Sequence, residues 1–184
     1  MAAIVMADDG IAFDGDSLTR GPLGGAETAF ISLAEGLAAR GHDVTIYNRC
    51  GVPMTRNGVT WEPIEKGLPD SADLYIANRG DKLMPLVPKA RSRVFWIHNP
   101  AGYLKKWRYL SKLWRWRPAV VFSSHFHAGS FPGWAPSGNR VTIPYGISQA
   151  FLETTPPRTP PAPRVAFTSS PLRSLDWLLG MWSA

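Results

Sequence analysis

Four groups of residues in this chain have types and spacings that can do chemistry. The first is the run Gly21-Pro22-Leu23-Gly24-Gly25-Ala26-Glu27. Glycines let a backbone approach a ligand closely, and the unpaired N–H groups of a helix start favour an anion such as a diphosphate. Gly24 and Gly25 are the candidates for that contact. The second group is Asp14-Gly15-Asp16. Such a pair can hold a divalent ion, or it can hydrogen-bond its own turn, which is the more frequent use of aspartate in loops. The third group follows apolar runs: Asn78-Arg79 after Leu74-Tyr75-Ile76-Ala77, and His98 after Arg93-Val94-Phe95-Trp96-Ile97. Residues just past parallel strands face the ligand crevice of an open α/β sheet. A histidine placed there can hydrogen-bond a hydroxyl or serve as general acid or base. The fourth is a basic, aromatic run from Leu104 to Arg117 that contains Lys105, Lys106, Arg108, Lys112 and Arg115.

These residues need elements to hold them. Ala3-Ile4-Val5-Met6-Ala7 is an apolar strand. Ala26, Ala29, Phe30, Leu33, Leu37 and Ala38 recur at helical spacing, so the chain from the glycine run to Arg40 is expected as a helix. Gly41 sits where a left-handed cap is wanted, and Val44, Ile46 and Tyr47 give the next strand. Gly51 to Gly58 is expected as a turn. Further strands are expected at 59–62, 74–77, 93–97 and 119–124, with a strand and turn at 140–147. The basic run is a helix stopped by Pro118, with Tyr103, Trp107, Leu110 and Trp114 on one stripe and Lys105, Arg108, Lys112 and Arg115 on another. Such a helix can lie on an anionic membrane, or pack its aromatic stripe on the sheet. The alternation predicts an α/β fold: a Rossmann-like, doubly wound, mainly parallel sheet flanked by helices.

Several chemistries are disfavoured. There is no G-x-G-x-x-G run, and no Gly-Lys-Ser/Thr follows the glycine turn. An NADP-dependent enzyme that uses Arg49 on a 2′-phosphate therefore lacks its fingerprint. His125 and His127 lack the further ligands a zinc site requires, so no metal is expected. Basic residues among aromatics can hold single-stranded nucleic acid, but no RNP-type or zinc spacing supports it.

The run Gly24-Gly25-Ala26-Glu27, followed by Leu33-Ala34-Glu35-Gly36-Leu37-Ala38-Ala39-Arg40-Gly41-His42-Asp43-Val44-Thr45, resembles the start of family 4 glycosyltransferases of the GT-B fold. A second match, in the expected order, is Ile143-Pro144-Tyr145-Gly146, which is similar to the Pro-x-Gly segment ending that family's N-terminal domain. The resemblance implies that Gly24 and Gly25, with Glu27, lie near a donor diphosphate, and that His98 touches the transferred sugar. It implies that Asp14, Asp16, Asn78 and Arg79 meet sugar or acceptor. Arg173-Ser174 stands where the family's second domain carries a basic residue and glycine, which makes Arg173 a donor candidate.

The chain has 184 residues, 45% hydrophobic and 18% charged, as an ordinary globular protein has. One cysteine, Cys50, excludes an internal disulfide and fits a reducing compartment. No basic leader and no run of eighteen apolar residues is present, so a cytoplasmic protein is expected, able to sit at the inner face of a membrane. The net charge of +6 is unevenly placed. Residues 1–81 hold twelve acidic and six basic side chains, whereas 82–152 hold eleven basic and no acidic ones. A basic middle implies an anionic partner. Residues 1–153 are expected as a Rossmann-like N-terminal, acceptor-side domain and 154–164, with five prolines, as an extended linker. Residues 165–184 are expected as the first strand and helix of an incomplete second domain, because the family's acidic E-x7-E segment is absent. Such a truncated chain would not catalyse transfer alone, and its apolar C-terminal helix would pack on the first domain or pair with a second copy.

The function implied is a retaining, metal-independent glycosyltransferase. It moves a sugar from a nucleotide-sugar donor to a hydroxyl of a glycan or lipid-linked acceptor, with no other cofactor. The alternative is a non-enzymatic basic module that binds anionic membrane or nucleic acid.

Overall fold

Strand side chains alternate between faces, and the first strand uses both. Ile4 and Met6 of β1 (Ala3–Asp8) join one buried cluster, while Val5 and Ala7 join another. A strand apolar on both faces must lie between two layers. The computed structural model has this arrangement, and it describes residues 1–147, 152–153, 162, 165–167, 172 and 174–182. They divide into two units, Met1–Gly146 and Ile147–Ala184.

In the first unit, β2 (Asp43–Asn48), β3 (Met54–Arg56), β4 (Val59–Pro63), β5 (Ser71–Asn78), β6 (Lys89–Trp96), β7 (Ala119–Phe122) and β8 (Arg140–Thr142) complete one sheet. Its order is β3-β4-β2-β1-β5-β6-β7-β8. Every pairing is parallel except that of β3 with β4. From β1 the chain builds outward on one side to β2 and β4, then returns to build the other side from β5. The α/β Rossmann-like fold expected from the sequence is therefore present, with its switch point between β1 and β5.

Helix α1 (Ser17–Arg20) is a single turn, and α2 (Gly25–Ala38) covers one face through Phe30, Ile31 and Ala34, which pack with Met6, Ile46, Trp61 and Trp96. Fully burying side chains such as Phe30 and Ile31 stabilises by about 1.5–3 kcal/mol each. The other face is covered by α3 (Trp107–Trp116), whose Tyr109 and Leu113 join Tyr75, Phe95 and Phe122. A short α4 (His125–Gly129) follows β7. Helix α2 ends as its sequence requires, with Gly41 at φ 82° just beyond it.

Three details of this unit differ from the sequence expectation. The segment expected as a turn contains β3, joined to β4 by Asn57-Gly58, both at positive φ. Asparagine and glycine tolerate that conformation, which is the one a two-residue hairpin needs. The outer stripe of α3 is also not the inward one. Trp107 and Trp114 are 79% and 69% exposed, because Leu104, Tyr109 and Leu113 already fill the space against the sheet. The expected continuous helix is interrupted at Lys106, which is extended between a 3-10 turn (Ala101–Lys105) and α3.

In the second unit the helix Leu175–Trp182 is present and exposes Trp177, Met181 and Trp182. Val165, Ala166 and Phe167, expected to begin a strand, are not in one. A strand requires a neighbouring ladder, and no described residue of this unit provides it. Within the expected linker only Ala162 is described.

Candidate functional site

The site grows from the switch point. Parallel pairing of β1 and β5 sets Asp8 opposite Asn78 at the C-terminal ends of both strands. Both side chains are fully buried, so both need hydrogen-bond partners. Asn78 Nδ2 donates to Asp8 Oδ2 at 2.5 Å, Arg79 donates to the same oxygen at 2.7 Å, and the Gly10 amide donates to Asp8 Oδ1 at 2.8 Å. Arg79 also pairs with Glu27 of α2 at 2.8 Å, so one guanidinium bridges two carboxylates. Gly10 permits this closeness: a Cβ there would stand 2.6 Å from the Arg79 guanidinium.

His98, two residues past β6, enters from the adjacent strand and packs on Trp96 with ring centroids 4.9 Å apart. Its Nε2 lies 2.7 Å from Asn78 Oδ1, and its Nδ1 lies 2.5 Å from the Tyr145 hydroxyl. The His98 and Tyr145 rings are nearly parallel, with an interplanar angle of 5° and centroids 5.9 Å apart. Burial, reinforced by the positive charge of Arg79, pushes His98 down to about 4 against the opposing pull of Asp8 and Glu27. The imidazole is therefore neutral at physiological pH, and burial pushes the Tyr145 phenol up. The site thus offers two carboxylates, one guanidinium, one neutral imidazole and one phenol, an array suited to hydroxyl groups.

The structure brings Glu27, Asn78, Arg79 and His98 into this one cluster. Gly24 is the residue before α2 and Gly25 its first residue. They are not equivalent: a Cβ on Gly24 would collide with the Glu27 carboxylate, whereas one on Gly25 would meet open space. Asp14 is engaged within its own loop, and Asp16 reaches Arg56 at the end of β3. Asp14 pairs with Arg20 and accepts from the Asp16 amide at 2.9 Å, and Asp16 pairs with Arg56 at 3.2 Å. Burial alone would raise the Asp14 carboxyl, but Arg20 and the Asp16 amide hold it below the usual carboxylate range. Beside this loop lies a cavity of ≈ 240 Å³, lined in part by Phe13, Asp14, Arg20 and Arg49.

Among the described residues no three His, Cys, Asp or Glu side chains come together as metal ligands. His125 is exposed, whereas buried His127 contacts the Asn99 carbonyl through Nε2 at 2.8 Å and Ser123 through Nδ1. Of the helix cations, Lys112 and Arg108 pair with buried Asp81 at 2.6 and 3.7 Å, while Lys105, Lys106 and Arg115 are exposed. No helix among the described residues is long and apolar enough to cross a membrane. Arg173 lies outside the described residues.

Sequence reading passed over Asp8 and Tyr145. Asp8 was legible as a charged residue closing an apolar strand, the same pattern that singled out Asn78 and His98. Tyr145 carried no such signal, because its role depends on meeting His98 from 47 residues away.

A family model described as a glycosyl transferase 4-like domain matches residues 24–181. The matched span includes Glu27, Asn78, Arg79, His98 and Tyr145 and begins after Asp8. No curated protein and no solved structure matches the chain.

Proposed function

The chain belongs to the glycosyl transferase 4-like domain family, and from that premise we propose that it serves transfer of a sugar from a nucleotide-sugar donor to a hydroxyl of a glycan or lipid-linked acceptor. The observation that carries this reading is the cluster at the switch point, where Asp8, Glu27, Arg79, Asn78 and His98 converge. The guanidinium of Arg79 is already matched by two carboxylates, so the cluster has formally more negative than positive charge. Its donors and acceptors favour a neutral polyhydroxyl group, as a sugar is. The diphosphate then belongs at the start of α2, where the backbone at Gly24 and Gly25 offers N–H groups. His98 receives a hydroxyl of the transferred sugar or acceptor, and Asn78 and Arg79 hold the walls beside it. The reaction is proposed as retaining, by front-face attack of the acceptor, without metal or cofactor and on the cytoplasmic side of the membrane.

The test is turnover of a panel of uridine and guanosine diphosphate sugars by the enzyme as it occurs in its cells. His98→Ala is expected to lower turnover about 10²-fold. Turnover that is indifferent to this change would remove His98 from the reaction, and no transfer from any donor of the panel would remove the reading itself.

A second reading concerns where the domain sits. Trp107 and Trp114 project into solvent along one helical stripe, two turns apart, beside exposed Lys105, Lys106 and Arg115. Exposed aromatics among cations favour the headgroup zone of an anionic membrane, and a lipid-linked acceptor would be found there.

A further inference from the structure

Asp8, Asn78, His98 and Tyr145 form one chain of hydrogen bonds whose direction follows link by link. The Asp8 carboxylate accepts from Arg79 and Gly10, and its contact with Asn78 is an amide N–H donation at 2.5 Å. Reversing the Asn78 amide would set its carbonyl against a carboxylate, so Oδ1 must face His98. The 2.7 Å contact then makes His98 Nε2 the donor. A neutral imidazole carries a single N–H, which leaves Nδ1 with a lone pair that accepts the Tyr145 hydroxyl at 2.5 Å.

We propose that Asp8 and Asn78 are positioning residues that hold His98 as its Nε2–H tautomer and present Nδ1 as an acceptor for a substrate hydroxyl, with Tyr145 covering that nitrogen until the hydroxyl replaces it. The identity of the displacing group rests on the transfer reading above, but the tautomer does not. Arg79, Asp8, Glu27 and His127 are the charged and titratable groups acting on the ring, with the Tyr145 phenol against it. Burial and Arg79 prevail, so the ring stays neutral and the acceptor lone pair persists through the physiological range. His98 is thus arranged to receive a proton or hydrogen bond at Nδ1, not to donate one there. Tyr145 is suited to a displaceable role: it is 47% exposed and precedes Gly146, the last residue of the first unit.

The test is nitrogen NMR of the histidine rings in the full chain, followed through a pH titration. The wild-type His98 is expected to be neutral with its proton on Nε2, and to titrate at about 4. Asn78→Asp sets a second carboxyl against Asp8; the pair shares one proton, still presents an acceptor to Nε2, and is expected to keep the Nε2–H tautomer. Asn78→Leu removes the acceptor and mixes the tautomers. A proton on Nδ1 in the wild type would overturn the proposal, as would an Asn78→Leu variant in which the proton stays wholly on Nε2.

Should the buried variants fail to fold, half-exposed Tyr145→Phe still decides. Loss of the O–H donor shifts the Nδ1 resonance without moving the proton, and an unshifted Nδ1 would overturn the role of Tyr145. In turnover with the diphosphate-sugar panel, Tyr145→Phe is expected to lower KM, and an unchanged or raised KM would refute the covering role. The expected tautomer together with turnover indifferent to His98→Ala would uphold the positioning and refute the transfer role. The opposite pair of outcomes would refute the positioning alone.

Discussion

Arg79 adopts φ 64°, in the left-handed region where any residue with a Cβ is strained. What the strain accompanies is visible around it: the backbone N–H donates to the Trp96 carbonyl at 2.9 Å, and the guanidinium turns back onto Asp8 and Glu27. Removing one partner of a buried ion pair leaves the other uncompensated, which costs more than the pair contributes. Arg79→Ala is therefore expected to destabilise the fold by about 3–5 kcal/mol in urea unfolding. Arg79→Gly removes the same charge but relieves the backbone, and is expected to cost about 1 kcal/mol less. A loss below about 1 kcal/mol for the alanine variant would show that Asp8 does not depend on Arg79. The same scale explains why identical residue types parted company. Asp14 and Asp16 pair with Arg20 and Arg56, outside the cluster that Asp8 forms with Asn78 and Arg79.

At the scale of elements, α2 does two things at once. Its apolar side holds one face of the sheet, and its first turn delivers Glu27 to the switch point. That explains the asymmetry of the glycine pair. A methyl at residue 24 must push the Glu27 carboxylate aside and loosen its 2.8 Å pair with Arg79, whereas a methyl at residue 25 meets nothing. Gly24→Ala is expected to cost about 1 kcal/mol in denaturant unfolding, with Gly25→Ala within about 0.5 kcal/mol of wild type. Equal effects would mean that the pair serves only the turn. Helix α3 shows the complementary case. Asp81 holds it to the β5–β6 crossing through Lys112 and Arg108, which sorts its cations into an anchoring set and an exposed set.

For the whole molecule, the basic middle of the sequence is not a uniform patch. Arg93 donates to the carbonyls of Met84 and Val87 and lies over the Trp116 ring, and Arg140 donates to those of Phe131, Pro132, Gly133 and Ala135. These cations hold loops. The exposed set of Lys105, Lys106 and Arg115, beside Trp107 and Trp114, remains available to an anionic surface. Each cation near such a surface contributes about 1 kcal/mol, so replacing all three by alanine should weaken binding to phosphatidylglycerol vesicles by roughly 10²-fold at low salt. Co-sedimentation measures this directly. Equal sedimentation of wild type and the triple variant, or of Trp107→Ser and Trp114→Ser, would exclude this face as the contact.

Periodicity and strand-end position are local properties, and they were enough to predict the alternating fold, the glycine turn and the placing of Asn78, Arg79 and His98 at strand ends. The run from Gly24 to Thr45 was specific enough to point to the family that matches residues 24–181. Whether a polar residue faces a crevice or its own loop depends on partners distant in sequence, and no local pattern carries that. Asp8 meets Asn78 because β1 lies beside β5, 70 residues on, and His98 meets Tyr145 because the chain returns past β7 and β8. The orientation of α3 was undecided for the same reason. Its aromatic stripe could face either the sheet or a membrane, and only the filling of the sheet face by Leu104, Tyr109 and Leu113 left Trp107 and Trp114 outside. Sequence alone therefore determined the main strands and helices of the first unit and which residues they carry to their ends, because those follow from neighbours along the chain, whereas the β3 edge strand and the break at Lys106 do not. The tertiary structure decided which of those residues share hydrogen bonds and charge, because that is set by strand order.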